Sequence, residues 1–551
     1  MLAAFAFVPA AQAHGDRGHG HHGHGHGHGH HNKKPRSTVR GIVAHQRALQ
    51  SIADMNGGTR NTETPGYTAS VAYVRERMKN AGLKVKVVEF NMPEWRENAP
   101  PELEQLTPTP TTYTAGSADD AGDPAVDFIA FGFSPTSVVE DAPVIPTKDI
   151  VIPSPAANSN DSGCEMEDFP EETSGAVSLI QRGTCPFVQK IANAQAAGAA
   201  GVILFNEGDS AGRMNAQFFF GPADLNIPAV FSTFDVGNEL YEAYQRGDDP
   251  TVRLVTNGEN VDRFFPQVVA ETKHGSSKHM VLAGAHLDSV TAGPGINDDG
   301  SGTSWQLDLA EEIARTHPKN KVRFLWFGGE EEGLVGSQYY AANLSQREVD
   351  NTDVMIDTDM IASPNYVRLV YDGDGSELGA AGPEGSGTVE EVFKRYFQRR
   401  GMATKPQAFD GRSDYVGFIN RGIPAGGLFA GAEVPKTPEE AAIYGGVAGE
   451  QYDPCYHEAC DNIDTVTGQP PAETMNVFDE DPVLAQQQAD SLNGNALKAL
   501  GEFRGALDHA LWFWANQRGA LPERGMTAKA ARKAAGKRHM KYEGHRRART
   551  R

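Results

Sequence analysis

The sequence contains no run of 18 apolar residues, which argues against a membrane-spanning helix. Positive charge is also scarce, because 50 Lys and Arg residues face 72 Asp and Glu residues and leave a formal charge of -22. Twelve of the basic residues lie at 518–551 beside only two Glu residues, so the rest of the chain is still more acidic. Such an acidic body argues against nucleic acid as the main partner and suits a soluble extracellular protein.

Cysteine is rare as well, with four copies among 551 residues. The segment 1–13 is apolar and ends in an A-x-A pattern, which is typical of a signal-peptide cleavage site and predicts secretion. Because this segment lacks a basic start, we expect the true signal to begin before it. In an exported chain, the close pairs Cys164 with Cys185 and Cys455 with Cys460 favour two disulfide bonds over a thiolate zinc site.

Both ends of the chain have a biased composition. Residues 14–31 hold 9 of the 18 His residues among glycines, with too little apolar surface to fold, although such a run can bind transition metals loosely. We therefore expect a disordered leader at 14–38 and a basic, disordered tail at 516–551.

Strands and helices alternate in the second half of the chain, from residue 264 onwards. The apolar periodicity predicts helices at 304–316 and 334–344 and strands at 322–326 and 354–359. This alternation predicts an α/β fold with a mostly parallel central sheet flanked by helices. The Pro- and Asp-rich segment 462–489 is expected to be a loop.

The segment 134–255 differs from its flanks, because short strand-like runs surround a single predicted helix. It contains RGTCPF followed by that helix, and then the apolar runs AAGAAGVILFN and IPAVF. In these motifs it resembles the protease-associated domain, a non-catalytic, β-rich insert of several peptidase classes. We therefore expect a first peptidase segment at 39–133, the insert at 134–255 and a second peptidase segment at 256–515.

The stretch VLAGAHLDSVTAGPGINDD, residues 281–299, joins a buried strand to a Gly-rich loop. His286 and Asp288 share one face of the strand, so Asp288 can orient the imidazole while its other nitrogen binds a metal. Asp298 or Asp299 supplies a second carboxylate just before the next helix. Ligand sites in parallel sheets lie at such strand ends, so this stretch is a candidate metal site.

Further carboxylates follow the next two strands. In FLWFGGEEEG, Glu330 and Glu331 lie at the mouth of a hydrophobic strand. One of them can bind a metal while its neighbour faces the attacking water as a general base. Asp357 and Asp359 share one face at the end of another strand, where buried carboxylates usually need a cation.

Three more residues are candidates for the site. His457 lies inside the DPCYHEACD loop, which a disulfide bond would rigidify. Arg412 in FDGRSDY and Phe429 in GGLFAGAE could hold a substrate. These patterns extend the candidate site from metal binding to substrate binding.

Seven motifs occur in a fixed order: AGAHLDSV, GINDDGSG, FGGEEEGLVGS, DMIASPN, DGRSDY, GGLFAGAE and DPCYHEACD. Together they resemble the secreted bacterial leucyl aminopeptidases of the co-catalytic di-zinc exopeptidase family. The resemblance covers residues 39–90 and 264–515, and the ordered set is far more specific than any single short motif. It implies a fold of the zinc exopeptidase type.

The resemblance also implies how the candidate residues divide their roles. One zinc ion would be held by His286 and Asp359, the other by Glu331 and His457, with Asp298 bridging both. Glu330 would be the general base, Asp288 would orient His286, Tyr456 and Arg412 would contact the transition state or substrate, and Phe429 would line the side-chain pocket. A cis peptide bond between Asp298 and Asp299 is implied as well. Glu332 departs from the family, which often has an apolar residue there.

These observations lead to a secreted aminopeptidase with two zinc ions as the first hypothesis. It would be a monomer that removes large apolar, leucine-like residues from peptides with a free amino terminus, and a structural calcium ion is a further expectation. A carboxypeptidase or another amidohydrolase on the same di-zinc core would need basic residues for a substrate carboxylate, and Arg412 is the only obvious candidate. A non-catalytic, receptor-like protein is the third hypothesis, but such proteins usually lose metal ligands.

Overall fold

The computed structural model describes residues 34–517, apart from 153, 155, 157–158 and 222–224. The predicted signal peptide, and nearly all of the predicted leader and tail, lie outside these residues. The described chain forms two compact units, the first running up to Val87 and resuming at Val268, and the second comprising Val88–Gln267. No helix in the described part is long and apolar enough to cross a membrane.

The strands, numbered in chain order, are β1 (Lys84–Asn91), β2 (Glu94–Glu97), β3 (Glu102–Thr107), β4 (Thr111–Thr112), β5 (Ala115–Gly116), β6 (Phe128–Ala130), β7 (Ser137–Pro146), β8 (Val177–Gln181), β9 (Gly201–Phe205), β10 (Ala229–Ser232), β11 (Thr251–Thr256), β12 (Gly258–Val261), β13 (Phe264–Glu271), β14 (Ser276–His286), β15 (Asn320–Phe327), β16 (Thr352–Thr358), β17 (Leu369–Tyr371), β18 (Lys405–Gln407) and β19 (Ala425–Phe429). The α-helices are α1 (Val39–Met55), α2 (Pro65–Ala81), α3 (Phe187–Ala196), α4 (Phe234–Arg246), α5 (Gly300–Ile313), α6 (Val335–Ala342), α7 (Gln346–Asn351), α8 (Ser386–Gln398), α9 (Val416–Asn420), α10 (Pro438–Tyr444), α11 (Ile463–Thr467), α12 (Pro482–Ser491) and α13 (Asn495–Asn516).

The first unit is built on an eight-stranded sheet with the order β1-β13-β15-β14-β16-β19-β17-β18. Strands β15, β14, β16 and β19 run parallel to one another, whereas β13 is antiparallel to β15 and β17 is antiparallel to β19. Helix α5 connects β14 to β15, and helices α6 and α7 connect β15 to β16. The predicted α/β fold with a mostly parallel central sheet is therefore confirmed.

Strand β14 is covered on both faces of the sheet. Val281, Leu282 and Ala283 are fully buried, although consecutive strand residues point to opposite faces. A strand that is covered on both sides has apolar residues without alternation, which explains the continuous apolar run of this segment. Helix α13 contacts β14 and β15, and its Leu507 and Leu511 are fully buried in the core.

Two predicted elements differ from the structure. Helix α5 begins at Gly300, earlier than predicted, because the Asp299 side chain caps it by accepting from the backbone N of Gly302 at 2.9 Å. The expectation of a loop at 462–489 was wrong, since this segment contains α11 and most of α12. The Asp481 side chain caps α12 and Pro482 follows in its first turn, a helix-start signal that the Pro-rich composition concealed.

The second unit is rich in β-structure. Its nine-stranded sheet has the order β4-β3-β11-β7-β8-β9-β10-β6-β5, and helices α3 and α4 contact β9. Strands β3 to β6 belong to this sheet, so the compact unit begins before the predicted limit of the insert at 134. Within the unit, the predicted disulfide bond between Cys164 and Cys185 is confirmed.

Candidate active site

Three parallel strands end at the same edge of the first unit's sheet. Strand β14 ends at His286, whose register partner is Phe327, the last residue of β15. A Gly-Gly turn then leads to Glu330, while Asp359 directly follows β16. Because the carboxyl ends of neighbouring parallel strands lie side by side, these side chains converge on one region.

His286 is buried and has carboxylates on both sides of its ring. Its Nε2 lies 3.0 Å from Asp298 Oδ1 and 3.7 Å from Asp359 Oδ1. Its Nδ1 lies 3.6 Å from Asp288 Oδ1, which is an electrostatic contact rather than a hydrogen bond. The other oxygen of Asp288 accepts from the backbone N of Glu331 at 3.2 Å, so Asp288 links the end of β14 to the glutamate turn.

Asp298 lies between the two histidines of the site. Its Oδ1 faces His286 and its Oδ2 lies 3.5 Å from His457 Nε2, which is itself 3.1 Å from Glu331 Oε2. Asp299, the alternative that the residues alone left open, caps α5 instead. The peptide bond between Asp298 and Asp299 is cis, which confirms that prediction.

The donor atoms of this cluster fit two divalent cations. Three groups of three donors each lie within 4.8 Å. Two of them share Asp298, namely His286, Asp298 and Asp359 in one and Asp298, Glu331 and His457 in the other, and the third is His286, Glu330 and Glu331. One buried oxygen of Glu331 and one of Asp359 lack a hydrogen-bond partner. Such atoms are costly unless a cation or a proton satisfies them, so this arrangement of imidazoles and carboxylates has the chemistry of a binuclear metal site.

The electrostatics of the cluster favour added positive charge. Burial raises the pKa of Glu331 to about 7, and the neighbouring Asp298 carboxylate adds to the rise. Burial also raises the pKa of Glu330 well above its usual value, although His286 opposes the shift. For His457, burial alone would lower the pKa, but Asp298 and Glu331 raise it to about 10. These carboxyl groups destabilise one another's charged forms. A bound cation would stabilise the charged forms instead.

The glutamate turn separates its consecutive carboxylates. Gly329, at φ 67°, adopts the left-handed conformation that glycine tolerates, and its backbone N donates to Thr62 Oγ1 at 2.9 Å. Glu330 then lines the cleft described below, whereas Glu332 accepts from Asn61 Nδ2 at 2.6 Å. The added negative charge of Glu332 is thus held by a hydrogen bond outside the cleft lining.

The predicted disulfide bond between Cys455 and Cys460 is confirmed, and it closes the loop that carries His457. The ring of Tyr456 stacks on the ring of His457 with 3.8 Å between centroids. The Tyr456 hydroxyl in turn accepts from Arg412 Nη2 at 3.1 Å. The closed loop and Arg412 therefore fix the orientation of both rings.

These side chains line one cleft, with an empty volume of about 460 Å³. Its lining includes seven of the predicted site residues: Asp298, Glu330, Asp359, Arg412, Phe429, Tyr456 and His457. Met360, Tyr371 and Ala432 extend the apolar wall beside Phe429. Asp357, which the sequence grouped with Asp359, is buried and lies outside the lining formed by the described residues.

Two residues that the sequence did not indicate hold the loop around Asp298. Arg60 is fully buried and donates to the carbonyl oxygens of Leu287, Pro294 and Gly295, with 2.8 Å between its Nε and the Pro294 oxygen. Asp461 accepts from the backbone N of Asp298 at 2.9 Å. Arg60 lies in a turn-like stretch, and Asp461 is the last residue of the DPCYHEACD motif; the sequence assigned no role to either, because both make contacts with distant parts of the chain.

Loss of the Cys455–Cys460 disulfide bond should weaken metal binding, and it should lower the free energy of unfolding only moderately. Because the bond closes only 5 residues, its removal should lower the free energy of unfolding by about 2 kcal/mol in the chain-entropy treatment. The C455S/C460S double variant should bind zinc less tightly because the His457 loop is no longer closed. Zinc titration monitored by calorimetry checks this.

The matched control removes the disulfide bond of the second unit. The C164S/C185S double variant opens a longer loop, with a sequence separation of 21. Its free energy of unfolding should therefore fall by more, about 3 kcal/mol. Its zinc affinity should stay that of the wild type. Equal zinc affinities in the two double variants would contradict a role for the Cys455–Cys460 bond in positioning His457.

Comparisons with known proteins identify the family of the chain. Residues 267–478 match peptidase family M28, and residues 146–240 match the PA domain. The chain is 43% identical over 430 residues to an aminopeptidase of Pseudomonas aeruginosa, a match that covers 77% of this chain and 76% of that protein. It is 41% identical over 308 residues to leucine aminopeptidase 2 of Trichophyton equinum, covering 55% and 61% of the two chains.

A solved structure supports the fold. The aminopeptidase from Aneurinibacillus sp. strain AM-1 superposes with a TM-score of 0.51 at 23% identity, covering 84% of this chain and 93% of that one. At this level of identity the likeness concerns the fold alone. From the family match and the Pseudomonas relative, we conclude that this chain belongs to peptidase family M28 and is an aminopeptidase with a PA domain.

Proposed function

We propose that the protein is a secreted aminopeptidase that uses two zinc ions to remove large apolar, leucine-like residues from the amino terminus of peptides. The observation that carries the proposal is the position of Asp298, with one carboxylate oxygen facing each of two histidines. The disulfide bonds fit an oxidising, extracellular compartment. The name of the Trichophyton relative supports the leucine preference.

We assign the zinc ligands to the two donor groups that share Asp298. His286 and Asp359 would hold one ion, Glu331 and His457 the other, and Asp298 would serve both. Imidazole nitrogen combined with carboxylate oxygen suits zinc, whereas calcium prefers oxygen donors alone. The bound ions would acidify a water molecule and polarise the scissile carbonyl.

The reaction then depends on the residues that move protons and hold substrate. A carboxylate oxygen of Glu330 accepts a proton from the attacking water. Glu330 then passes this proton to the leaving nitrogen as the C–N bond breaks. Asp288 keeps Nε2 of His286 directed at Asp298 and Asp359 through its contact with Nδ1. Tyr456, held by Arg412, contacts the transition state at the rim of the cleft.

The cleft favours an amino-terminal over a carboxyl-terminal exopeptidase. Asp298, Glu330 and Asp359 line the cleft, so the free α-amine of a substrate would either coordinate an ion held by Asp298 and Asp359 or meet the carboxylate of Glu330. Arg412 would have to bind the carboxylate in a carboxypeptidase, but it already donates to Glu433 at 2.7 Å. The apolar wall beside Phe429 accommodates a large apolar side chain.

Two finer expectations complete the proposal. We propose that the protein acts as a monomer, with peptides that have a free amino terminus as its partners. A structural calcium ion remains a prediction. The acidic group formed by Asp372, Asp374 and Glu390 already has a cation beside it, because Lys394 Nζ donates to Glu390 at 3.0 Å.

Removal of divalent cations tests the proposal directly. A strong chelator should abolish hydrolysis of leucine p-nitroanilide, and added zinc should restore it, because the proposed reaction needs bound metal ions to acidify the attacking water and to polarise the scissile carbonyl. The control substrates are the same anilide with a blocked amine and a carboxyl-terminal chromogenic peptide, and both should remain intact. Full activity after verified metal removal would exclude the metal-dependent mechanism, and cleavage of the amine-blocked substrate would exclude amino-terminal specificity.

A further inference from the structure

Arg412 is held at the rim of the cleft by two acidic side chains and a phenol. Its Nη1 donates to Glu433 Oε1 at 2.7 Å, and its Nη2 donates to Tyr456 Oη at 3.1 Å. Its backbone N donates to Asp410 Oδ1 at 3.2 Å. The Arg412 side chain is 55% exposed, so a substrate could reach the guanidinium if Glu433 did not occupy it.

A series of contacts connects Arg412 to the proposed reaction centre. Tyr456, which accepts from Arg412, stacks on His457, and His457 Nε2 lies 3.1 Å from Glu331. Among the described residues that line the cleft, Arg412 is the sole Lys or Arg. It is therefore the side chain of this cleft that could form an ion pair with a substrate carboxylate.

Glu433 neutralises this positive charge. Burial would raise the pKa of the Glu433 carboxyl, but the hydrogen bond from Arg412 holds it below its usual value, so the carboxylate is charged at neutral pH. A guanidinium that already has a carboxylate partner gains little from a second one, which must also displace the first. The rim is consequently a poor binding site for anions.

We propose that Glu433 determines specificity for substrate length: by pairing with Arg412, it prevents the cleft from binding the free carboxylate of a dipeptide and so favours longer peptides. This inference rests on the proposed aminopeptidase function. In a dipeptide, the carboxylate belongs to the residue directly after the scissile bond, so it must lie close to the reaction centre. In a longer peptide, an uncharged amide group takes that place.

The E433Q variant tests the proposal with two matched substrates, leucylglycine and its carboxyl-terminal amide. With the charge of Arg412 no longer neutralised, the ratio of kcat/KM for the free acid to kcat/KM for the amide should rise about five- to tenfold, as expected for one new charge-assisted contact. The rise should come from a lower KM for the free acid, and high salt should reduce it. A loss of stability alone would lower both rates together and leave the ratio unchanged.

Two further variants complete the test. E439Q removes the same charge from an exposed residue in the first turn of α10 and should keep the wild-type ratio. E433D retains a carboxylate and should keep the ratio close to that of the wild type. An unchanged ratio in E433Q, or an equal rise in E439Q, would overturn the proposal. If the wild-type protein cleaves neither peptide, the proposed aminopeptidase function is wrong, and this result differs from an unchanged ratio in E433Q.

Discussion

Replacing Glu330 with glutamine should lower kcat by about 10²- to 10⁴-fold, the usual contribution of a general base. The Glu330 side chain lines the cleft beside Asp298 and Asp359, and it is not needed for either of the two donor groups that share Asp298. Glutamine keeps its shape but cannot take a proton from water. Zinc content should therefore stay at the wild-type value while turnover falls, which a metal assay and a steady-state assay on the same preparation measure.

The neighbouring glutamate provides the control for this prediction. Glu332 belongs to the same turn but is exposed and hydrogen-bonded to Asn61, outside the cleft lining. E332Q makes the same carboxyl-to-amide change close to the same place and should keep most of the activity. If E330Q and E332Q lost similar amounts of activity, the effect would come from the charge of the turn, and Glu330 would not be the base. A loss of zinc in E330Q would instead make it a ligand.

The sequence predicted the strand-end residues because a parallel sheet imposes their proximity. His286, Glu330 and Asp359 lie at or just after the ends of three strands that the apolar runs already indicated, so their convergence required only the topology. The division of roles between neighbouring carboxylates did not follow from periodicity. Asp298 and Asp299 were distinguished by the family resemblance alone, and in the structure they differ because one faces the histidines and the other caps α5.

Residues whose roles depend on contacts with other parts of the chain were not predicted. The pairing of Arg412 with Glu433 depends on how α9 and β19, which lie between the two residues, are arranged, although both residues belong to motifs that were recognised. Arg60 is separated by 234 residues from the Pro294 carbonyl that it contacts. Its neighbours in the sequence are typical of a surface turn, so local composition pointed to an exposed residue rather than to a buried cation.

Arg60 is expected to have the largest effect on stability. Its guanidinium is fully buried, it satisfies three carbonyl oxygens of the loop between β14 and α5, and the carboxylates of Asp288 and Asp461 lie close enough to favour its charge. Methionine at this position would fill part of the volume but leave the three oxygens without donors and the acidic loop without its cation. Buried polar groups without hydrogen-bond partners destabilise the folded state, so the replacement affects both folding and the position of Asp298.

We therefore expect R60M to lower the free energy of unfolding of the first unit by about 3 to 5 kcal/mol, the usual loss when a buried charge partner is removed. The matched control is R77M, since Arg77 pairs with Glu311 at a position where its side chain is 44% exposed, and its loss should cost about 1 kcal/mol or less. Urea unfolding followed by Trp fluorescence measures both, and hydrogen exchange of the 287–298 loop shows where R60M acts. Equal urea midpoints for the two variants would mean that the three carbonyl oxygens find other donors. Faster exchange confined to that loop in R60M, with reduced zinc affinity, would instead connect the buried guanidinium to the metal centre, because the loop that it holds carries Asp298.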